Sequence, residues 1–198
     1  MRTRQLDLDG AVEFRPPVHR DERGDFVSPF TAPDFSGATG RPDFPVAQIS
    51  YSTSSRGTVR GIHFTRHPPG MAKYVCCLRG AALDFVVDLR QGSPTFGRWE
   101  SVRLDGESKR ALYLPVGIGH AFLALQDDTL MSYAMSGAYV PENELSVSPL
   151  DPDLALPIPA DLEPVMSDRD RTAPRLADQA ANGMLPDYAA CVRNEGTL

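Results

Sequence analysis

Short segments that favour a β-strand recur about every 10 to 15 residues through the middle of the chain, and this rhythm is the strongest constraint on its fold. Residues 82–89 are rich in β-branched and aromatic side chains and end at Arg-Gln-Gly-Ser-Pro, a typical turn sequence. Similar segments, bounded by Gly, Pro or Asp, cover residues 46–52, 74–78, 98–104, 111–114, 121–125 and 129–140. No alternation of strands with helices interrupts them. The pattern predicts an all-β antiparallel sandwich or barrel.

Helical sequence is confined to the C-terminal part of the chain. Residues 174–182 are expected to form a short helix, with Pro174 near its start and Gly183 as its stop signal. Residues 148–164 are rich in Pro and Asp and are predicted to form a loop. Since there is no internal repeat and no linker long enough to separate two units, residues 1–198 are predicted to form a single domain.

The charge and the cysteines of the chain limit its partners and its location. The 20 Lys and Arg residues against 26 Asp and Glu give a formal charge of -6, which argues against binding to a nucleic-acid polymer. No run of about 18 apolar residues suits a membrane span, and the N-terminus shows no secretory signal. Cys76 and Cys77 would point to opposite faces of a strand and Cys191 makes the number odd, so no disulfide framework is expected. We therefore expect a cytoplasmic protein with no membrane or nucleic-acid partner.

Two of the four histidines lie in motifs that resemble the two halves of the cupin signature. His63 lies in Gly-Thr-Val-Arg-Gly-Ile-His-Phe-Thr, and His120 ends Pro-Val-Gly-Ile-Gly-His. Metal-binding cupins carry His-x-His in the first half, and this chain has Thr65 at the second histidine position. Because a catalytic metal usually needs three or four protein ligands, the motifs predict a barrel pocket without a metal. The other two histidines, His19 and His67, are expected in surface loops.

A histidine in such a pocket can act as a general base. The ordinary pKa of an imidazole is about 6.5, which suits proton removal at neutral pH. Many carboxylates are candidates for orienting its second ring nitrogen, and spacing alone does not choose among them. Lys73, at the start of a predicted strand, is suited to stabilising an oxyanion or a phosphate. Arg60 and His63 would face opposite ways on a regular strand, so Arg60 reaches the same ligand only if the chain bends near Gly61.

Five longer motifs set this chain apart from cupins in general; they cover residues 21–26, 60–64, 90–97, 115–122 and 167–170. With them the chain resembles the dTDP-4-dehydrorhamnose 3,5-epimerase family, from about residue 12 to residue 170. The resemblance implies a cupin jelly-roll fold, a homodimer and an epimerase that needs no cofactor.

The resemblance also implies roles for individual residues. His63 would be the general base, paired with Asp170, and Tyr133 would protonate the opposite face of the sugar. Lys73 and His120 would lie near the C4 oxygen of the sugar and the diphosphate. The further residues implied in substrate binding are Arg23, Phe26, Ser28, Gln48, Ser50, Arg60, Tyr139, Glu144 and Arg169.

Part of this set concerns the nucleotide and the choice of carbon. Arg23 and Phe26 match a nucleotide-binding arm that comes from the neighbouring subunit, and Tyr139 matches an aromatic residue that stacks on thymine. Ser28 and Ser50 stand where the family pattern has an acid and an asparagine. These departures resemble the branch from antibiotic deoxysugar pathways, whose members can invert only C3 or only C5.

We therefore predict an epimerase that inverts C3 of dTDP-4-keto-6-deoxy-D-glucose through proton abstraction, an enolate and reprotonation from the opposite face. Four alternatives stay open: a 3,5-double or 5-epimerase, an aldose ketoisomerase, a metal-dependent cupin oxygenase or isomerase, and a non-catalytic sugar-binding cupin. Thr65 argues against the metal enzyme, and Tyr133 weighs against the ketoisomerase.

Overall fold

The computed structural model of the chain describes residues 1–159 and 161–196. This part of the chain forms thirteen strands and four α-helices. The strands are β1 (Arg2–Gln5), β2 (Val12–Arg15), β3 (Val18–Asp21), β4 (Gly24–Val27), β5 (Gln48–Ser54), β6 (Val59–Thr65), β7 (Lys73–Arg79), β8 (Ala81–Asp88), β9 (Trp99–Asp105), β10 (Ala111–Leu114), β11 (Ile118–Ala124), β12 (Thr129–Met135) and β13 (Glu144–Ser146). The helices are α1 (Ala32–Thr39), α2 (Asp168–Arg171), α3 (Leu176–Ala181) and α4 (Tyr188–Glu195), and a 3-10 turn covers Pro141–Asn143.

Most of the strands pair into two antiparallel sheets. The six-stranded sheet has the order β1-β2-β10-β7-β12-β5, and the five-stranded sheet has the order β13-β6-β11-β8-β9. Strands β3 and β4 form a separate hairpin. Since strands that are distant in sequence lie side by side, the connections cross between the sheets, as they do in a jelly roll. The predicted all-β sandwich is confirmed.

Apolar layers lie between the two sheets and on their outer faces. Val86 and Met131 belong to the layer between the sheets. Outside the five-stranded sheet, Leu154 and Leu156 of the Pro- and Asp-rich loop are buried against it, and Phe35 of α1 packs outside the six-stranded sheet. Burying one such side chain contributes about 1.5 to 3 kcal/mol. Burial of its leucines therefore holds the irregular loop in place, although the loop has little secondary structure.

The helices are more numerous than the sequence pattern predicts. The expected C-terminal helix over 174–182 forms as α3, which covers Leu176–Ala181. The prediction of a single helix is wrong, because α1, α2 and α4 also form. Their start signals are present in the sequence, since Thr31, Ser167 and Asp187 each accept a hydrogen bond from a backbone N–H of the first turn. These helices are too short to show a clear apolar period, so only their caps reveal them.

Several strand boundaries also differ from the prediction. The segment 129–140 is a strand only over Thr129–Met135, because the chain then bends away from the sheet. Strand β11 begins at Ile118 rather than at residue 121, and the predicted strand 46–52 is shifted towards the C-terminus as β5. Strands β1 to β4 escape the prediction because they have only four residues each, and β1, β3 and β4 are also mostly exposed. His19 is exposed as expected, but it lies in β3 rather than in a loop.

The cysteines agree with the sequence expectation. Cys77 belongs to the layer between the sheets, Cys76 packs against the layer outside the six-stranded sheet, and both are free thiols, as is Cys191. Among the described helices, none has the length and apolar character needed to cross a membrane. The single domain over residues 1–198 stays a prediction, and residues 160 and 197–198 of that range lie outside the described residues.

Strand β6 bends at Gly61, and this bend decides which side chains enter the space between the sheets. His63 lies opposite His120 of β11, whereas Arg60 lies opposite Phe122. An advance of three residues along β6 therefore matches an advance of two residues along β11, so β6 has one extra residue at this point. Such a bulge re-aims the side chains on either side of it. Gly61 has a φ of +111°, a conformation that favours glycine. The bend places Arg60 and His63 on the same cavity, which meets the condition set by the sequence.

Gly61→Ala is expected to lower the free energy of unfolding by about 3 kcal/mol or more, because it combines φ strain with a backbone clash. A Cβ atom at this position would lie 2.4 Å from the carbonyl oxygen of His120. Urea denaturation measures the loss. Gly92→Ala is the matched control, since Gly92 has a φ of +85° but no atom within 4 Å of the added Cβ. It should lose only about 1 to 2 kcal/mol, and equal losses for both variants would contradict the importance of the close approach.

Candidate active site

A cavity of about 450 Å³ opens between the two sheets, at the side formed by β5, β12 and β7 on one sheet and β13, β6 and β11 on the other. Its lining is mostly polar side chains with a few aromatic and sulfur-containing ones. The lining residues are Gln48, Ser50, Ser52, Arg60, His63, Lys73, His120, Phe122, Tyr133, Met135, Tyr139, Glu144 and Arg169.

His63 is held by a buried carboxylate. Its Nε2 lies 2.5 Å from Oδ1 of Asp170, which comes from α2 and is 2% exposed. Asp170 is fixed in turn, because its backbone N–H donates to Ser167 Oγ and its Oδ2 accepts from the backbone N–H of Gly61. Burial alone would raise the pKa of Asp170, but the hydrogen bond and charge of His63 and the hydrogen bonds from Gly61 and Ser167 together outweigh it, so the pKa is lowered. Nδ1 of His63 has no hydrogen bond within the described chain, so it is free to take a proton from a ligand.

Tyr133 faces the cavity from β12. Its hydroxyl lies 2.9 Å from Oγ of Ser52, and its ring meets the ring of His120 edge-on with centroids 6.0 Å apart. Burial raises the pKa of Tyr133 well above the ordinary value for a phenol. The phenol therefore carries its proton at neutral pH and can deliver it as an acid.

Lys73 presents a buried amino group at the start of β7. It is 8% exposed, and no carboxylate or hydrogen-bond acceptor of the described residues lies within pairing distance of its amino group. Burial lowers the pKa of Lys73, and the negative charge of Glu144 opposes this effect. An unpaired donor in a desolvated cavity is suited to stabilising negative charge that develops on a ligand oxygen.

His120 has a carboxylate partner that sequence reasoning missed. Its Nε2 lies 2.7 Å from Oδ2 of Asp84, a fully buried residue of β8. Oδ1 of Asp84 has no hydrogen-bond partner among the described residues. The signal was an acidic residue in the middle of a mostly apolar strand, because a buried carboxylate is costly unless a cation or donor meets it.

Three other lining residues were also missed, namely Ser52, Phe122 and Met135. Period-two alternation offers a signal for two of them, because Ser52 lies two residues after Ser50 and Met135 lies two residues after Tyr133. Phe122 lies in the same motif as His120, and the bulge brings it opposite Arg60.

The outer part of the cavity is ordered by contacts among the predicted binding residues. Arg60 donates to Oγ of Ser54 and to the backbone oxygen of Thr53. The side-chain oxygen of Gln48 accepts from the backbone N–H of Tyr139 at 2.8 Å. Arg169 donates to the backbone oxygen of Glu144 at 3.0 Å. Both arginines are thereby held at the cavity, where a phosphate group would meet them.

Three predicted binding residues do not line this cavity. Arg23 and Phe26 lie on the β3–β4 hairpin, where Phe26 is 69% exposed and Arg23 pairs with Asp21 and with no other carboxylate of the described residues. Ser28 follows the hairpin and is also absent from the lining. Within one chain the structure therefore brings together the catalytic candidates but leaves the hairpin apart from them.

The side chain at the second histidine position of the cupin motif forms a hydrogen bond to another lining residue. Thr65 Oγ1 donates to Oε1 of Glu144 at 2.6 Å. Within residues 1–159 and 161–196, no three His, Cys, Asp or Glu side chains are grouped so that they could hold a metal ion.

Comparison with known families matches residues 5–178 to the model of the dTDP-4-dehydrorhamnose 3,5-epimerases. The chain belongs to this family. Among its curated relatives is a protein from a Streptomyces species named dTDP-4-dehydro-6-deoxyglucose 3-epimerase. The two are 51% identical over 185 residues, which are 93% of this chain and 94% of the relative.

Solved structures of family members share the fold over almost the whole chain. NovW, a 4-keto-6-deoxy sugar epimerase from the novobiocin biosynthetic gene cluster of Streptomyces spheroides, is 49% identical, with a TM-score of 0.93 over 96% of this chain and 95% of its own. ChmJ, a 3'-monoepimerase from Streptomyces bikiniensis in complex with dTDP-quinovose, is 49% identical, with a TM-score of 0.92 over 97% of this chain and 96% of its own. The predicted cupin jelly-roll fold of the family is thus confirmed.

Asp170→Asn is expected to lower the free energy of unfolding at pH 7 by about 1 to 3 kcal/mol, because it weakens a buried hydrogen bond to a charged group. The pKa of Asp170 is lowered in the folded state, so this stabilisation is present above the pKa of the unfolded chain, at about 3.9, and is lost as the pH falls through the lowered value. Urea denaturation from neutral to acidic pH measures the difference between the two proteins.

Asp168→Asn is the control for this comparison, since Asp168 lies in the same helix but is exposed. It should change the unfolding free energy by less than about 0.5 kcal/mol at either pH. A deficit of Asp170→Asn that persists undiminished in acid would contradict the assigned role of the carboxylate.

Proposed function

We propose that the protein inverts C3 of dTDP-4-keto-6-deoxy-D-glucose, in the biosynthesis of a deoxysugar. The observation that carries the proposal is a base and an acid on opposite walls of one cavity: His63, oriented by Asp170, and the protonated phenol of Tyr133. The names of the relatives support the choice of substrate and of the inverted carbon, since one is a 3-epimerase of this sugar and another comes from the novobiocin biosynthetic gene cluster.

The first step is removal of the proton on C3. The C4 ketone acidifies this proton, because the electron pair that is left behind delocalises onto O4 as an enolate. His63 takes the proton, and Asp170 stabilises the imidazolium that forms. The amino group of Lys73 donates to O4, where it is most effective after deprotonation, since the full negative charge exists only then.

The second step is protonation of the enolate from the other face. The O–H bond of Tyr133 breaks as the new C3–H bond forms, which inverts the centre. One proton leaves and one returns, and no atom changes its oxidation state overall. The reaction therefore balances without a cofactor. Before the next turnover His63 must lose its proton and Tyr133 must regain one.

The nucleotide part of the substrate requires positive charge in a protein whose formal charge is -6. Arg60 and Arg169 provide it at the cavity mouth, and Tyr139, which is 48% exposed, offers a ring face for the base. Arginine suits this task because its planar guanidinium binds phosphate oxygens in pairs. Gln48 and Glu144 hold the backbone and side chains of this region in place.

A double epimerase is the second candidate, since the matched family is described by 3,5-epimerisation. The chemistry is the same, because the C4 ketone acidifies C5 as well as C3. Ser28 and Ser50, which replace an acid and an asparagine of the family pattern, favour the single-centre reaction. Ser50, which lines the cavity, is smaller than the asparagine it replaces, so fewer groups can hold the sugar in a second pose.

Incubation with dTDP-4-keto-6-deoxy-D-glucose in D2O is expected to place deuterium at C3 of the inverted product and not at C5. NMR of the product identifies the labelled carbon and its configuration. His63→Ala should lower the rate by about a hundredfold or more, because general-base catalysis contributes that much. Deuterium at both carbons with both centres inverted would favour the double epimerase, and an inactive wild-type protein would overturn the proposal.

We further propose a homodimer in which the β3–β4 hairpin of one subunit completes the nucleotide site of the other. The hairpin presents Arg23 and Phe26 to solvent in one chain and does not reach the cavity of its own chain. An exposed aromatic ring beside an arginine is suited to a nucleotide, through stacking and phosphate contact. A symmetric dimer would use the same exchange twice.

Mixing two inactive variants tests this exchange. His63→Ala removes the base and Arg23→Ala weakens the arm. A mixed dimer would then hold one site with a wild-type base and a wild-type arm. After the subunits are mixed and allowed to exchange, random pairing should restore about a quarter of the wild-type activity. If each arm serves its own chain, no activity returns although mixed dimers are detected by native mass spectrometry.

A further inference from the structure

The hydroxyl of Tyr133 has one hydrogen-bond partner among the described residues. Oγ of Ser52 lies 2.9 Å from the phenolic oxygen. The family resemblance implies no role for Ser52. The contact nevertheless involves the one atom from which the proposed mechanism delivers a proton to the sugar, so it bears directly on that step.

The position of Ser52 follows from the alternation of β5. This strand is an edge of the six-stranded sheet, and its side chains point alternately outwards and into the cavity. Ile49 and Tyr51 are exposed, at 68% and 76%, whereas Ser50 and Ser52 line the cavity. Ser52 is thus held by the sheet with its hydroxyl on the ligand side.

The two inward serines differ in what they bind. Ser50 is the direct cross-strand neighbour of Tyr133, but its hydroxyl accepts from the amide of Gln48 at 3.0 Å. Ser52 is paired with Met131 and reaches Tyr133 diagonally. The phenol therefore bonds to the more distant serine, whereas the nearer one is bound to Gln48. This leaves Ser50 as a matched control on the same face of the same strand.

We propose that Ser52 positions the Tyr133 phenol and donates a hydrogen bond to the phenolate that forms, so that the enolate proceeds to inverted product instead of returning to substrate. This inference rests on the proposed epimerase function. Ser52 acts through Tyr133, so it is a positioning residue.

The electron balance of the protonation step shows why a donor is needed. The proton of the phenol passes to C3, the enolate pair forms the new C–H bond, and the pair of the broken O–H bond stays on the oxygen of Tyr133. Burial raises the pKa of Tyr133, and the hydrogen bond to Ser52 opposes this rise. A serine hydroxyl has one proton and two lone pairs, so it can accept from the phenol before the step and donate to the phenolate after it.

The ratio of enolate that goes on to inverted product to enolate that returns to substrate measures this role. In D2O, a slow protonation by Tyr133 gives His63 time to exchange the abstracted proton for solvent deuterium and to return deuterium to the original face, which labels the recovered substrate without inversion. Ser52→Ala should therefore slow inversion about tenfold or more, while exchange into the substrate continues. Ser52→Thr, which keeps the hydroxyl, should restore the wild-type ratio of inversion to exchange.

A second readout does not depend on turnover. Replacing Tyr133 with 3,5-difluorotyrosine lowers the phenol pKa into a range that a fluorine NMR titration of the free protein can follow. Adding Ser52→Ala should raise that pKa by about one unit, because the phenolate loses a hydrogen bond to a charged atom. Adding Ser50→Ala should leave it unchanged.

The outcomes separate the two proposals. If the wild-type protein neither exchanges nor inverts C3, the epimerase function fails, and the titration still decides whether Ser52 stabilises the phenolate. If inversion and exchange fall together in Ser52→Ala, or if the titration shifts equally for both serine variants, the role of Ser52 is overturned.

Discussion

The close approach of β6 to β11 at Gly61 is the constraint on which the rest of the site depends. An added Cβ would lie 2.4 Å from the backbone oxygen of His120, so only glycine permits the two strands to approach this closely. The bulge at this point turns Arg60 and His63 to one cavity, and the freed N–H of Gly61 points to Asp170. A single residue without a side chain therefore joins the base, its carboxylate and a cation for the ligand.

The apolar layers around the cavity strengthen the electrostatic interactions of its polar groups, because these layers exclude water. An exposed ion pair contributes less than about 1 kcal/mol, because water screens it. Asp170 and Lys73 are at most 8% exposed, so each interacts strongly with any partner that excludes the remaining water. Lys73 is desolvated and pairs with no carboxylate of the described residues, which keeps its donor available for an oxyanion. The cost of burying these groups is offset by the packing of both sheets.

The sequence predicts those features of the site that are local and misses those that depend on distant pairing. Cupin-like motifs around His63 and His120 are short and continuous, so both histidines could be found. Asp170 lies 107 residues from His63, and only the family resemblance pairs them. Asp84 lies on β8, which is buried on both faces, so alternation does not indicate its direction. The same distinction applies to the fold. The regular spacing of β-strand segments predicts the sheets, whereas the short capped helices have no apolar period to detect.

The two-sheet architecture itself favours inversion. His63 and His120 belong to the five-stranded sheet, whereas Tyr133 and Lys73 belong to the six-stranded sheet. In the proposed mechanism, a planar enolate inserted between the sheets would present one face to each, so the proposed base and acid would meet opposite sides of the same carbon. Which carbon of the sugar is inverted then depends on how deeply the sugar enters the cavity.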